Sequence, residues 1–367
     1  MASVDIAAFE LKAPIGKFAY RDSGPVPNKS QYTTVVLIHG MGFHSGSFAP
    51  SFAAAPEQSA RLIVLNRRDF PQSVPYSDDE HAQLNKALES PPEAVRDFYV
   101  PFMKERSKEI VDFLVALIKK EGIPPVDESG TGGIVLSSWS LGAYWLMAFL
   151  KNIAALSASC DLDLKKYMQR VVVYDAPALT FGMPKPEDPY GPFGDDEIPP
   201  EKRYEAFSKW IGSYFDHASS PDGLERRKTL EHLPVTKATA DPKLNSQVSS
   251  PQLTAPGGSD WAHLIIPQMS GVAEEDRNDI LFGNVEAAAK EGETEKYWLS
   301  LPVRYVYCDH SIWESPWCVR KLNEQIEAEK ERGRVTREVS VKTLEGANHF
   351  AHWDKPEQFL EAMLARA

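Results

Sequence analysis

Cysteine is scarce in this chain. Its 367 residues include only Cys160, Cys308 and Cys318, which are far apart and form no C-x-x-C pair. This number and spacing favour neither a disulfide framework nor a cysteine zinc site. Reduced thiols in an intracellular protein are the simplest interpretation.

Positive charge is also in short supply. Lysine and arginine total 40 against 52 aspartates and glutamates, so the formal net charge is -12. Non-specific binding to nucleic acid or to an anionic membrane requires a cationic face. The composition therefore favours neither partner, and we expect an acidic globular protein.

Long apolar runs are missing as well. No window reaches the ~18 apolar residues of a membrane span, and the first residues, MASVDIAAFELKAPIGKF, lack the basic and apolar regions of a signal peptide. We therefore expect a cytoplasmic protein. The first βα turn also lacks G-x-G-x-x-G, so no dinucleotide is predicted; we expect neither a cofactor nor a metal.

One stretch organises what is present, GGIVLSSWSLGAYW at 132–145. A short aliphatic run bounded by glycines indicates a buried strand, and the run that follows predicts a helix over 141–153. Ser140 lies between them in an S-x-S-x-G pattern, where a sharp strand-to-helix turn would expose its hydroxyl as a nucleophile. The alternative is a serine that merely caps the helix.

The strand TTVVLI at 33–38 runs into the glycine-containing loop HGMG at 39–42. Such a loop allows backbone N–H groups to turn towards a ligand, so we predict Met41 N–H and Leu141 N–H as oxyanion donors. An ordinary tight turn is the alternative. His39 and His44 are interpreted as residues that pack and form hydrogen bonds in this region.

Strands alternate with helices along the first half of the chain. An antiparallel pair is expected over 5–22, a strand over 61–66, a polar segment through 92, a helix over 100–120, and a strand over 170–175 that ends at Asp175. This alternation predicts an α/β fold with a doubly wound, mostly parallel sheet. Ligands bind such sheets at the carboxyl ends of the strands, where Ser140, Met41 and Asp175 are expected.

The alternation stops over 178–300, which is rich in proline and aromatic residues. We interpret this segment as a mainly helical cap inserted after the sixth strand and lying over the site, with residues 1–177 and 301–367 as the core. Residues 238–260 are expected to be a polar loop. Cap aromatics would form an apolar wall for substrate, although most of them are expected to pack among themselves; they are Phe181, Tyr190, Phe193, Tyr204, Phe207, Trp210, Tyr214, Phe215, Trp261 and Trp298.

Regular structure is predicted to resume with a strand over 301–309, a helix over 317–332 and a last strand over 339–344. His349 follows that strand, on a loop level with Ser140. Nucleophilic acyl chemistry requires a hydroxyl, an imidazole, a carboxylate and N–H donors for an oxyanion. All four are expected at strand ends, in the chain order serine, acid, histidine.

These landmarks resemble those of the α/β-hydrolase superfamily: HG at 39–40, SWSLG at 138–142 and GANHFAHWDKPEQF at 346–359. The resemblance covers about 5–177 and 301–367. It implies Ser140 as nucleophile, His349 as general base and acid, and Met41 and Leu141 as oxyanion donors. His352 is the rival histidine, and its position in the motif disfavours it.

The acid departs from the pattern of many relatives. In those relatives the carboxylate follows the strand at 303–307, where Ser311 occupies the expected place. Other members carry the acid after the preceding strand, and Asp175 fits that arrangement. We predict Asp175, with Asp309 as the alternative and Glu314 as a more distant one.

The function expected from these residues is a serine hydrolase. It would cleave an ester, thioester or lactone of a mid-sized apolar small molecule through an acyl-enzyme, and the aromatic cap favours a secondary metabolite or a xenobiotic. The alternatives are an acyltransferase or carbon–carbon-bond hydrolase on the same fold, and a receptor that keeps the triad to bind a ligand without turnover. The sequence indicates no oligomeric state.

Overall fold

One eight-stranded sheet organises the fold of the computed structural model, which describes residues 5–250, 266–283 and 298–366. The spatial order is β1-β2-β4-β3-β5-β6-β7-β8; β1 and β2 are antiparallel to their neighbours and the remaining pairs are parallel. The strands are β1 (Lys12–Ile15), β2 (Phe18–Asp22), β3 (Thr33–Ile38), β4 (Ala60–Leu65), β5 (Ile134–Trp139), β6 (Met168–Tyr174), β7 (Val303–Cys308) and β8 (Val339–Leu344). The predicted α/β fold with a mostly parallel sheet is confirmed.

Helices cover both faces of the sheet. Within the described ranges they are α1 (Ala49–Ala54), α2 (Asp78–Leu88), α3 (Pro92–Glu121), α4 (Ala143–Ser157), α5 (Arg203–Ile211), α6 (Lys237–Ala240), α7 (Pro242–Val248), α8 (Ser270–Ile280), α9 (Glu314–Glu331), α10 (Ala351–Asp354) and α11 (Pro356–Leu364). Helices α3 and α4 pack together on one face, while α1 and α11 pack together on the other.

Strand β3 shows why the central strands are apolar throughout. Val36 and Ile38 belong to the core under α3 and α4, whereas Val35 and Leu37 belong to the core on the opposite face. Successive side chains of a strand point to opposite faces, so a strand covered on both sides needs apolar residues at every position.

Two helices differ from the sequence expectation. Helix α3 begins at Pro92 rather than near residue 100, and it ends where Gly122 adopts a left-handed φ of 63°. Helix α2 was missed in the segment expected to be a polar connection, because it has few apolar residues. A capping box between Ser77 and Glu80 begins it, and the S-x-x-E pattern could have indicated that start.

The segment between β6 and β7 contains short helices and turns in its described part. Of residues 238–260, expected as a polar loop, 238–240 belong to α6 and 242–248 form α7; residues 251–260, with Trp261, lie outside the described residues. Helix α8 packs against α4. The insertion therefore also covers part of the sheet's helical layer, and its limits at 178 and 300 stay a prediction.

A buried ion cluster joins β2, β4 and the end of α3. Arg61, whose side chain is 1% exposed, donates two hydrogen bonds to Asp22, at 2.9 and 2.6 Å, and one to Glu121 at 2.7 Å. Lys12 also bonds Asp22, at 2.6 Å. Although burial would raise the pKa of Asp22, the hydrogen bonds from Arg61 and Lys12 hold it below its usual value.

Replacing Arg61 should destabilise the fold strongly. Arg61→Leu leaves the Asp22 carboxylate buried, and loss of one partner of a buried pair costs about 3–5 kcal/mol of unfolding free energy. Lys12→Met is the matched control, because the Lys12 side chain is 41% exposed; it should cost under about 1 kcal/mol. Urea unfolding at pH 7 measures both, and equal losses would contradict the assignment.

Because the folded-state pKa of Asp22 is lowered, the contribution of this carboxylate to the free energy of unfolding is present at pH 7 and is lost as the pH falls through the acid range.

Candidate functional site

Ser140 occupies a sharp turn between β5 and α4. Its φ is 54°, in the left-handed region that non-glycine residues seldom adopt, and a single 3-10 turn, Ser140–Gly142, leads into α4. A Cβ atom on Gly142 would lie 2.5 Å from the carbonyl oxygen of Ile38, and one on Gly40 would lie 2.7 Å from Ser140 Cβ. Both glycines are therefore required for the turn to pack against the end of β3.

The two predicted oxyanion donors lie beside this turn. Met41 follows Gly40, and both Met41 and Leu141 line the same cavity as Ser140. Leu141 is the second residue of the 3-10 turn, where N–H groups have no acceptor within the helix. Among the described residues, neither N–H donates to a backbone carbonyl or a side chain.

His349 and Asp175 form a buried pair. The distance from His349 Nδ1 to Asp175 Oδ2 is 2.6 Å, and the two side chains are 2% and 0% exposed. Asp175 follows β6 with a φ of 46°, and His349 lies on the loop after β8. Because Nδ1 is engaged by the carboxylate, Nε2 is the ring nitrogen left for another partner.

Two further groups hold the Asp175 carboxylate. Cys308 N–H donates to Oδ1 at 2.9 Å, and Ser311 Oγ donates to Oδ2 at 2.5 Å. Ser311 Oγ is also 3.4 Å from His349 Nδ1. The place expected for the acid after β7 thus holds a hydroxyl that bonds the carboxylate arriving from β6.

The alternative acids lie elsewhere. Asp309 Oδ1 accepts the Ala347 N–H at 3.2 Å, and within the described ranges Asp309 makes no contact with the His349 ring. Glu314 lines the cavity, and the described residues place no hydrogen bond between it and His349.

His39 and His44 are buried and hold the loop after β3 through local hydrogen bonds. His39 Nδ1 bonds Gly40 O at 2.9 Å and its Nε2 accepts Arg67 N–H, while His44 Nδ1 accepts Gly46 N–H at 3.1 Å. Burial lowers the pKa of His39 well below its usual value and that of His44 to about 3, so both are neutral.

His352, the rival histidine, is buried away from the cavity. Its ring stacks on Phe48 with centroids 4.0 Å apart, and Nδ1 is 3.3 Å from the Tyr174 hydroxyl. Burial lowers the pKa of His352 well below its usual value. These contacts give it a packing role.

Ser140 and His349 line a cavity of about 540 Å³. Its aromatic wall comes from the core loops and from the insertion: Phe43, Trp139, Tyr190, Phe193, Phe207, Trp210 and Trp313. Other aromatics of the insertion, Phe181, Tyr214, Phe215 and Trp298, are buried in packing instead. Among the described residues, Ser140 Oγ makes no hydrogen bond to the His349 ring; the two groups share the cavity. The volume is in the range of small-molecule sites, and the lining also includes charged side chains: Lys185, Asp195, Asp196, Arg227 and Glu314.

Comparison with known protein families matches residues 35–362 to the model described as "Alpha/beta hydrolase family". The chain belongs to the alpha/beta hydrolase family. The match extends over most of the chain. No match was found among curated proteins.

Solved structures of other alpha/beta hydrolases are similar over nearly their whole length. A bromoperoxidase from Bacillus anthracis shares 13% identity, with 95% of this chain and 94% of that chain covered and a TM-score of 0.49. A thermophilic esterase from Thermogutta terrifontis shares 16% identity, with 97% and 95% covered and a TM-score of 0.44. An epoxide hydrolase from Vigna radiata shares 13% identity, with 98% of both chains covered and a TM-score of 0.44.

Among the described residues, no group of His, Cys, Asp and Glu could hold a metal ion. No helix within the same ranges combines the length and apolar character that crossing a bilayer requires.

Sequence reasoning missed the contact between Ser311 and Asp175. The sequence indicated only that Ser311 stands where a carboxylate was expected. Ser311 and Asp175 are 136 positions apart in the chain. No local pattern reports such a contact, because it depends on where β6 and β7 end relative to each other. The cavity walls from Phe43 and Trp313 were missed for the same reason.

The strain at Ser140 can be measured. A residue with a Cβ costs about 1–2 kcal/mol relative to glycine in the left-handed region. The free energy of unfolding of Ser140→Gly should therefore exceed that of Ser140→Ala by about 1 kcal/mol. At Ser107, inside α3, the order should reverse, because glycine weakens a helix interior by about 1 kcal/mol. Urea unfolding of the four variants tests this, and a more stable Ser140→Ala would refute the strain.

Proposed function

We propose that this protein is a serine hydrolase that cleaves an ester, thioester or lactone of a mid-sized, largely apolar small molecule through an acyl-enzyme. The observation that carries the proposal is the 2.6 Å contact of Asp175 Oδ2 with His349 Nδ1, at a cavity that Ser140 also lines. A hydroxyl, an imidazole and a carboxylate acting in sequence are the groups that acyl transfer requires.

In the first half-reaction, Ser140 Oγ attacks the substrate carbonyl carbon and its proton passes to His349 Nε2. The carbonyl π electrons move to oxygen, which becomes an oxyanion. Collapse of this intermediate expels the alcohol or thiol, which takes the proton from Nε2. An acyl-enzyme on Ser140 is left.

In the second half-reaction, water attacks the acyl carbon and gives its proton to His349 Nε2. The new intermediate breaks its bond to Ser140 Oγ, which recovers the proton, and the carboxylic acid leaves. For a lactone, the alcohol and the acid are parts of the same product. The Ser140–His349 hydrogen bond needed for both steps forms with bound substrate, since such contacts are often long in a free enzyme.

Asp175 keeps the imidazole in the required tautomer. A proton on Nδ1 donates to the carboxylate, so the lone pair of Nε2 faces the reaction, and the carboxylate then stabilises the imidazolium that forms. Met41 N–H and Leu141 N–H are the proposed oxyanion donors. Their support is the position of both residues at the cavity beside Ser140 and the absence of an acceptor for either N–H among the described residues.

A fluorophosphonate probe tests the proposal directly. An activated serine attacks its phosphorus and becomes covalently labelled, so wild type should gain one probe, detected by intact-protein mass spectrometry. Ser140→Ala should lose the label. Ser138→Ala is the matched control: this serine precedes Ser140 by two residues, is fully buried, and should leave labelling intact. An unlabelled wild type would instead favour a ligand-binding protein without turnover.

The identity of the acid is tested by two isosteric variants. Asp175→Asn should lower kcat by about 10⁴, because an amide cannot hold the imidazole in the right tautomer. Asp309→Asn should leave kcat within a few-fold of wild type, since among the described residues the Asp309 carboxylate accepts a hydrogen bond from Ala347 N–H and none from the His349 ring. Hydrolysis of a 4-nitrophenyl ester measures both. A large loss confined to Asp309→Asn would overturn the assignment of Asp175.

A further inference from the structure

Glu314 places a carboxylate in the wall of the catalytic cavity. It is the first residue of α9 and is half-buried, and the residues before it, Ile312 and Trp313, line the same cavity. Ser311, three residues earlier, bonds Asp175. The segment that supports the proposed acid therefore also carries Glu314 towards the substrate.

The Glu314 carboxylate differs from the other acidic groups of the cavity. Asp195 accepts the Glu197 N–H at 3.0 Å, and Asp196 pairs with Arg203 at 3.2 Å. No donor reaches Glu314 among the described residues. Burial raises the pKa of Glu314 to about 7, with the charge of Lys185 opposing the rise. A ligand that fills the cavity displaces water from this half-buried carboxylate, so a ligand group that donates a hydrogen bond in place of that water is favoured.

We propose that Glu314 is a substrate-binding residue that accepts a hydrogen bond from a hydroxyl group of the substrate, at a position away from the scissile bond. The inference rests on the proposed function, because it concerns the same cavity. It narrows the substrate to an apolar ester, thioester or lactone that carries a free hydroxyl. A hydrogen bond to one acceptor beside the aromatic side chains of the cavity fixes the orientation of such a molecule.

The charges around the cavity favour a neutral donor over an ammonium group. Lys185 and Arg227 line the cavity too, and the charge of Lys185 already acts on Glu314. An ammonium group beside Glu314 would meet repulsion from Lys185, the cation whose charge acts on this carboxylate; of the other cavity carboxylates, Asp196 is already paired with Arg203. A hydroxyl gains the hydrogen bond without that repulsion.

The test uses a series of 4-nitrophenyl esters with the same acyl chain length, each with a hydroxyl at a different carbon of the chain. Each hydroxy ester is compared with the ester that carries a methoxy group at the same carbon. Methylation removes the donor and keeps the oxygen. At a pH well above 7, where Glu314 is charged, wild-type kcat/KM should favour the hydroxy ester by about 10-fold or more at one or more positions, the value of a hydrogen bond to a charged group. In Glu314→Leu this preference should fall below about 2-fold, whereas Glu314→Gln, whose amide oxygen still accepts, should keep part of it.

Glu324→Gln is the matched control. Glu324 lies on the same helix, is exposed and pairs with Lys321 at 2.7 Å, so its loss should leave the wild-type preference unchanged. Binding of the same esters to Ser140→Ala, followed by tryptophan fluorescence, measures the preference without turnover. This second measurement separates recognition from chemistry.

The outcomes separate the two proposals. Hydrolysis of the esters with no preference that depends on Glu314 overturns the inference and leaves the proposed function standing. A hydroxyl preference in binding, without hydrolysis or labelling of Ser140, supports the inference and overturns the proposed function. A stronger preference for the matching amino esters overturns the choice of a neutral donor.

Discussion

The parallel register of β3 and β5 is the constraint on which the site depends. Ile38 pairs with Ser138, so the two strands end level with each other and the chain leaves them at Gly40 and Ser140. The backbones then approach closely enough that a Cβ at Gly40 would overlap Ser140 Cβ. This approach brings Met41 and Leu141, the residues next to Gly40 and Ser140, to the same cavity. Strand β4 lies on one side of β3 and β5 lies on the other, so the strand order reverses at β3. Sheets of this kind bind ligands at the carboxyl ends of the strands beside such a reversal.

A second register, between β6 and β7, accounts for the position of the carboxylate. Tyr174 pairs with Val306, and the next residue, Asp175, donates its N–H to Val306 O at 2.7 Å. The side chain then meets Cys308 N–H and Ser311 Oγ, both from the end of β7. Donors at the end of β7 and in the loop after it therefore hold the carboxylate against His349.

The sequence predicted those parts of the fold that depend on local pattern. Continuous apolar runs located the central strands, and the S-x-S-x-G pattern located the turn at Ser140, because a strand buried on both faces and a sharp turn each restrict residue types. Helix α2 was missed because its face is polar. The contact of Ser311 with Asp175 could not be predicted, and neither could the absence of a donor to Glu314 among the described residues, because both depend on where distant segments end relative to each other.

Backbone strain explains why the Ser140 side chain reaches the cavity and the Asp175 carboxylate reaches His349. Trp139 and Tyr174, which pair in register, both point into the core on the α11 side. If both strands continued in extended conformation, the next side chains would point to the opposite face, under α4. Left-handed φ values of 54° and 46° direct the Ser140 and Asp175 side chains to the carboxyl end of the sheet instead, at a cost of about 1–3 kcal/mol each. Close packing of Gly142 on Ile38 and the bond from Asp175 N–H to Val306 maintain these conformations. The sheet therefore holds the backbone that sets the positions of the Ser140 hydroxyl and the Asp175 carboxylate.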